Sequence, residues 1–107
     1  MVTENKFQAN LIKDLRKTFR GCIVVKLDAN YIQGMPDLLI LYKDRWAALE
    51  CKRSKKASVR PNQKYYVDLL DNMSFARFIF PENKKEVLHE LQRSLKVSRT
   101  ARVSKRK

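Results

Sequence analysis

Three side chains within sixteen positions could do chemistry together: Asp37, Glu50 and Lys52. Asp37 opens an apolar run at residues 37–42 (DLLILY), and Glu50 nearly closes a second at residues 46–51 (WAALEC), just before Lys52. Side chains alternate along a strand, so Glu50 and Lys52 share one face and Cys51 takes the other. If Lys43-Asp44 form a two-residue turn, Tyr42 pairs with Arg45 and Asp37 falls opposite Glu50, with Cβ atoms about 4.5–5.5 Å apart. A three-residue loop would set Asp37 against Cys51 instead; we expect the convergent register. Opposed carboxylates repel, and a divalent cation between them removes that cost. Hard oxygen ligands favour magnesium or manganese over zinc. Such a metal polarises a phosphate and lowers the pKa of a water, while Lys52 can orient that water or stabilise charge on a phosphoryl oxygen. These are the requirements of phosphodiester hydrolysis. The competing reading is a turn acid after Pro36 beside an ordinary Glu50–Lys52 ion pair. The combination on adjacent strands, next to a basic loop, favours catalysis.

The elements that must position these residues follow from apolar spacing. Phe7, Leu11, Ile12, Leu15 and Phe19 recur at helical intervals across residues 3–19, and Gly21 is placed to end that helix. Residues 22–27 (CIVVKL) form a β-branched run that reads as a strand, followed by a polar connection over 28–34. The two runs around Lys43-Asp44-Arg45 read as a hairpin, apolar on both faces and therefore expected to be central and covered on each side. Residues 53–60 read as an exposed basic loop. Pro61, at a tolerated first-turn position, begins a helix expected to reach residue 72 with Tyr65, Tyr66, Leu69 and Leu70 inward. Residues 75–80 (FARFIF) read as another strand, and 82–95 as a last helix with Val87, Leu88, Leu91 and Leu95 as its stripe. The order α-β-β-β-α-β-α makes an α/β domain, a mixed sheet flanked by helices, over residues 1–95. Residues 96–107 lack apolar periodicity and are expected to be a basic, disordered tail.

Charge placement points to a polyanion. The chain of 107 residues carries a formal net charge of +13. Six basic residues and no acid lie between Lys52 and Lys64, and six more with no acid lie from Lys96 to the end; the remainder holds 12 basic against 11 acidic residues. The body is nearly neutral and the excess is segregated, as phosphate neutralisation with counterion release requires. Arg53, Lys55, Lys56, Arg60 and Lys64 are the candidate DNA-binding residues. A solubilising tail plus one charged loop is the plainer alternative. A membrane surface is disfavoured, since the tail offers only Val97, Ala101 and Val103 as an apolar anchor. No apolar stretch is long enough to span a bilayer and no leader pattern opens the chain, so a cytoplasmic location is expected. Cys22 and Cys51 have neither framework nor CxxC spacing, so neither a disulfide staple nor a zinc site is supported. His89, off its helix's apolar stripe, is expected at the surface. Tyr65 and Tyr66 could stack on bases, but core packing or a subunit contact is the stronger expectation. No glycine-rich phosphate loop is present.

The motifs Gly34-Met35-Pro36-Asp37 and Glu50-Cys51-Lys52, set in an α-β-β-β-α-β order, resemble the PD-(D/E)XK nuclease superfamily and its restriction-endonuclease-like core. The resemblance covers residues 3–80. It is nearest to the small viral replication–repair (VRR-Nuc) nucleases and phage Holliday-junction resolving endonucleases, which share the GxPD hairpin, the ExK strand and a glutamine in the next helix, here Gln63. It implies magnesium-dependent DNA cleavage with Asp37 and Glu50 as metal ligands, the Cys51 carbonyl as a further ligand, and Lys52 acting on the attacking water. It also implies an added acid from the first helix, which Glu4 matches, although an acid in a first turn is favoured by the helix dipole in any case. Gln63 would touch the scissile phosphate or the nucleophilic water, or simply pack.

The leading expectation is therefore a structure-selective endonuclease for branched DNA, of the Holliday-junction-resolving type. Family resemblance together with the small size of the chain suggests a homodimer in which each site cuts one strand. A viral origin, suggested by the resemblance alone, would place it in the host cytoplasm. The alternatives are a nicking or restriction-like nuclease on duplex or single strands, and a non-catalytic nucleic-acid-binding protein.

Overall fold

The computed structural model describes residues 3–96; the basic tail expected over residues 96–107 lies, from residue 97 onward, outside them. Seven elements follow in order: α1 (Glu4–Thr18), β1 (Ile23–Lys26), β2 (Leu38–Tyr42), β3 (Arg45–Cys51), α2 (Pro61–Met73), β4 (Ala76–Ile79) and α3 (Lys84–Leu95). The four strands form one mixed sheet in the order β1-β2-β3-β4, antiparallel for the first two pairs and parallel for β3 with β4. A parallel pair needs a crossover, and α2 supplies it. The expected α/β order and mixed sheet are both present, with boundaries displaced by a residue or two. Among the described residues no helix is long and apolar enough to cross a membrane.

Alternation along the strands divides the sheet into two faces. Leu38, Ile40, Tyr42, Ala47, Leu49, Cys51 and Ile79 point toward α1 and α3, meeting Phe7, Leu11, Leu15, Phe19, Val87, Leu91 and Leu95 in the larger core. Phe19 meets Tyr42 edge-on, ring centroids 5.3 Å apart, a geometry that the ring quadrupole favours. The opposite face is thinner: Ala48, Val67 and Ala76, flanked by Trp46, Leu70 and Phe78, lie beneath α2. Thr3 caps α1, its hydroxyl oxygen accepting from the Lys6 amide at 3.1 Å. The last helix begins at Lys84, two residues later than expected. Asn83 holds the preceding turn, accepting from the Phe80 amide and donating to the Phe78 carbonyl.

Two expectations require correction. On α2 the expected inward set included Tyr65 and Leu69, yet these are 60% and 40% exposed, and Val67 is the buried residue. The inner row is Gln63, Tyr66, Val67 and Leu70, the i, i+3, i+4, i+7 positions that include the glutamine facing the sheet. A single polar side chain with a partner in the sheet sets the rotation of this helix, and a count of apolar residues alone misses it. The hairpin, in turn, is not covered equally. β3 is buried on both faces, but Leu41 of β2 and its neighbour Ile23 of β1 are 37% and 60% exposed. The reason is that α2 packs over β3 and β4 and leaves the β1–β2 half of that face open.

The hairpin has the two-residue turn. Tyr42 pairs with Arg45 and Leu38 with Leu49, and Lys43 takes the positive φ, 57°, that such a turn demands at its first central position. The connection into β2 is fixed at Gly34. Its φ is +93°, and a Cβ there would lie 2.8 Å from the backbone oxygen of Asn62 at the start of α2. The Gly34-Met35-Pro36-Asp37 turn thus docks directly on the helix that carries Gln63. Gly21 has a similar φ, +88°, with nothing within 4 Å. Gly34→Ala is accordingly expected to lose about 2–4 kcal/mol in urea denaturation, from left-handed strain plus a backbone clash, and Gly21→Ala only about 1 kcal/mol. Equal losses at the two positions would show that the Gly34–Asn62 approach does not constrain the turn.

Candidate active site

Continuing the β2–β3 pairing one step beyond Leu38↔Leu49 sets Asp37 opposite Glu50, the convergent register expected from the sequence. The Asp37 carboxylate is also tied to β3 directly: Oδ2 accepts the Cys51 amide at 2.8 Å. Glu50 is 3% exposed. Its Oε2 accepts from Gln63 Nε2 at 2.9 Å and lies 3.8 Å from the Lys52 ammonium. Its other oxygen, Oε1, is buried with no hydrogen-bond partner. Buried carboxylate oxygens are almost always satisfied, so an orphan here marks a place built for something else.

Gln63 links the pieces. Its Oε1 accepts from Lys52 Nζ at 2.7 Å and from the Arg60 backbone amide at 3.1 Å, while its Nε2 donates to Glu50. It stands at the third position of α2, where a glutamine can reach back to the N-cap amide. One side chain therefore caps the helix and fixes both Glu50 and Lys52. Lys52, 9% exposed, is held between an amide oxygen and a carboxylate at the floor of a cleft.

The electrostatics match this crowding. Burial, then the Asp37 carboxylate, pushes Glu50 up to about 7, with Lys52 opposing and Glu4 adding to the rise. Asp37 is also raised, by burial first, against the Cys51 amide and Lys52, which favour its charged form. Cys51 is pushed up to about 12 by burial and by Asp37 and Glu50. Its thiol stays protonated and faces the larger core, so only its backbone can serve the site.

A cleft of about 680 Å³ opens above Lys52 and Gln63, lined further by Thr3, Glu4, Arg53, Ser58 and Arg60. Glu4, first residue of α1, thus reaches the cleft wall. Among the described residues no three His, Cys, Asp or Glu side chains converge as a metal cage, so Glu4 does not close a third carboxylate on the Asp37–Glu50 pair. Of the basic residues singled out in the sequence, Arg53 and Arg60 line the cleft. Lys55 and Lys56 are exposed on the same loop, which is tied down where the Lys55 amide donates to Glu82 at 3.1 Å. Lys64 is turned to Asp68 at 2.7 Å on the outer side of α2. His89 is exposed, as expected. Sequence reasoning missed Ser58, Thr3 and the Glu82 tether; of these only Ser58, inside the basic run, carried a local signal.

The donor set suits a hard divalent cation: two carboxylates whose charged forms burial disfavours, Glu50 further raised by Asp37, and one oxygen of Glu50 unsatisfied.

No family model matches the chain, and no curated protein matches it. Among solved structures the chain is similar to a VRR_NUC domain protein, with a TM-score of 0.66 over 92% of each chain at 17% sequence identity. The chain has a VRR-Nuc-like fold. The mixed four-strand sheet with three helices is the restriction-endonuclease-like α/β architecture expected from the sequence.

Glu50 makes the VRR-Nuc-like fold pH-sensitive in a definite direction. Its pKa is 4.5 when unfolded and about 7 when folded. Between these values the unfolded chain has lost a proton that the folded chain keeps, so stability falls as pH rises through that window. Glu50→Gln removes this penalty. Without divalent metal, the variant should exceed the wild type in stability at pH 8 by up to about 3 kcal/mol and nearly equal it at pH 4.5. A variant less stable than wild type at pH 8 would mean that the charged carboxylate is net stabilised by Lys52 and Gln63.

Proposed function

We propose that this chain is a metal-dependent endonuclease of the PD-(D/E)XK type that hydrolyses phosphodiester bonds in DNA, with branched DNA of the Holliday-junction class as its preferred substrate. The observation that carries the reading is the Asp37–Glu50 pair, with a buried Glu50 oxygen left without a partner, joined through Gln63 and Lys52 to a cleft that Arg53 and Arg60 also line. The likeness to a VRR_NUC domain protein supports it.

Magnesium or manganese, held by Asp37, Glu50 and the Cys51 carbonyl, would neutralise phosphate charge and acidify an attacking water. The protein's own groups do the rest. Lys52, fixed by Gln63 and Glu50, presents its ammonium to the attacking water or a phosphoryl oxygen. Gln63 acts by holding Glu50 and Lys52 at one spacing. Arg53 and Arg60 on the cleft wall take the flanking phosphates, with Lys55 and Lys56 extending the same positive surface. Lys64, occupied by Asp68, contributes less. Glu4, on the cleft wall, is the carboxylate of α1 nearest in role to a further ligand, and it would add to the site's negative charge.

Paired incisions on a four-way junction need two sites, and we propose a homodimer. The open half of the sheet, with Ile23, Val25 and Leu41 exposed and no helix over them among the described residues, is an apolar surface that a second subunit can cover.

The direct assay offers labelled four-way junction and matching linear duplex, with magnesium or chelator. Wild type is expected to cut the junction in paired positions only with magnesium, and Asp37→Asn to lower the rate at least about a thousandfold. Equal cutting of junction and duplex would retain the nuclease and remove the junction preference. Tight binding with no cutting under any divalent metal would make Asp37 and Glu50 structural and the protein a binder.

A further inference from the structure

The loop between β1 and β2 was read from the sequence as a polar connection, yet it carries an apolar feature. Tyr31 is 85% exposed and Ile32 38%, and with Leu27, Met35 and Asp28 they line a depression of about 300 Å³. A tyrosine ring left this far in water forgoes burial that most tyrosines gain. It is not on a loose strand of chain. Asp28 Oδ1 accepts the Asn30 amide at 2.8 Å, the Tyr31 amide donates to the Asp28 carbonyl at 3.1 Å, and Gly34 is packed against Asn62. The ring is presented by an ordered turn.

Its position relates it to the reaction. The Leu27 amide donates to the Asp37 carbonyl at 2.8 Å, so the floor of the depression is the residue beside Asp37 on the far side from Glu50. Two inter-strand steps put it about 10 Å from Glu50, roughly three nucleotide rises of a duplex strand at ~3.4 Å each. The two concave surfaces on either side of the acid pair differ in chemistry. The cleft by Lys52 is cationic and suits phosphate. The depression by Leu27 is apolar, and the charged residue lining it is an acid, Asp28, which repels phosphate and accepts from an amine.

We infer that the Tyr31 depression receives an unstacked nucleobase of the DNA, close to the scissile phosphate, by stacking on the Tyr31 ring. This rests on the nuclease reading and deepens it. A base can leave its stack at little cost only at a branch, mismatch or single strand, so such a pocket selects branched over continuous duplex without reading sequence. Tyr31 is then a specificity-determining residue that leaves the hydrolytic groups untouched.

The test uses full-length protein and a set of DNA forks carrying 2-aminopurine at successive positions about the branch, bound in chelator so that nothing is cut. One or two positions should lose fluorescence on binding wild type, as stacking on an aromatic ring requires. Tyr31→Ala should abolish that quenching and lower magnesium-dependent cutting of the fork relative to linear duplex by about tenfold or more, with duplex binding and the thermal melt unchanged. Tyr31→Phe should behave as wild type, because the ring and not the hydroxyl does the stacking. Quenching that survives Tyr31→Ala, or no quenched position with wild type, overturns the inference. If wild type cuts no DNA yet the Tyr31-dependent quenching is present, the nuclease reading fails and the base pocket stands.

Discussion

Everything in this structure depends on two carboxylates that are forced to face each other. The two-residue turn at Lys43-Asp44 locks the β2–β3 register, and that register admits no arrangement in which Asp37 and Glu50 are far apart. Relieving the repulsion by slipping one residue would carry Leu38, Ile40, Ala47 and Leu49 out of the larger core. The hydrophobic effect acting on the hairpin is thus what holds the acids together. Their desolvation appears as the rise of Glu50 to about 7.

The surroundings reduce this cost without removing it. The Cys51 amide takes one oxygen of Asp37, and Gln63 takes one oxygen of Glu50 while holding Lys52 alongside. Because Gln63 is also the residue that reaches back to the Arg60 amide, the start of α2 and the reactive groups are fixed by one side chain. The Gly34 turn rests on that same helix start. The crossover helix therefore connects the turn before Asp37, the acid on β3 and the lysine that follows it, and one Glu50 oxygen still remains without a partner.

Much of this was legible in the residues. The hairpin register followed from turn length and alternation, because a period of two leaves only a choice between two registers. The helix and strand order followed from apolar spacing, and Pro61 marked the start of α2 where the structure has it. The rotation of α2 was not legible. Tyr65 and Leu69 compete with Val67 on apolarity, and the decision was made by Gln63, whose partners lie 11 and 13 residues away in sequence. The bare β1–β2 half of the sheet was hidden for a related reason: Leu39 and Leu41 read as buried on apolarity alone, while which strands α2 crosses is a property of the whole chain. The position of Glu4 on the cleft wall depends on how α1 lies across the sheet, which no local pattern encodes.

The central claim is that the facing acids form a site for a divalent cation. Manganese binding followed by electron paramagnetic resonance at pH 8 tests it without DNA or catalysis. Wild type is expected to bind saturably, with binding lost or greatly weakened in both Asp37→Asn and Glu50→Gln, while each variant keeps its cooperative melt. Binding that is equally strong in the variants would place the metal elsewhere, and no binding by wild type would leave the buried carboxylate oxygen of Glu50 without the partner this account gives it.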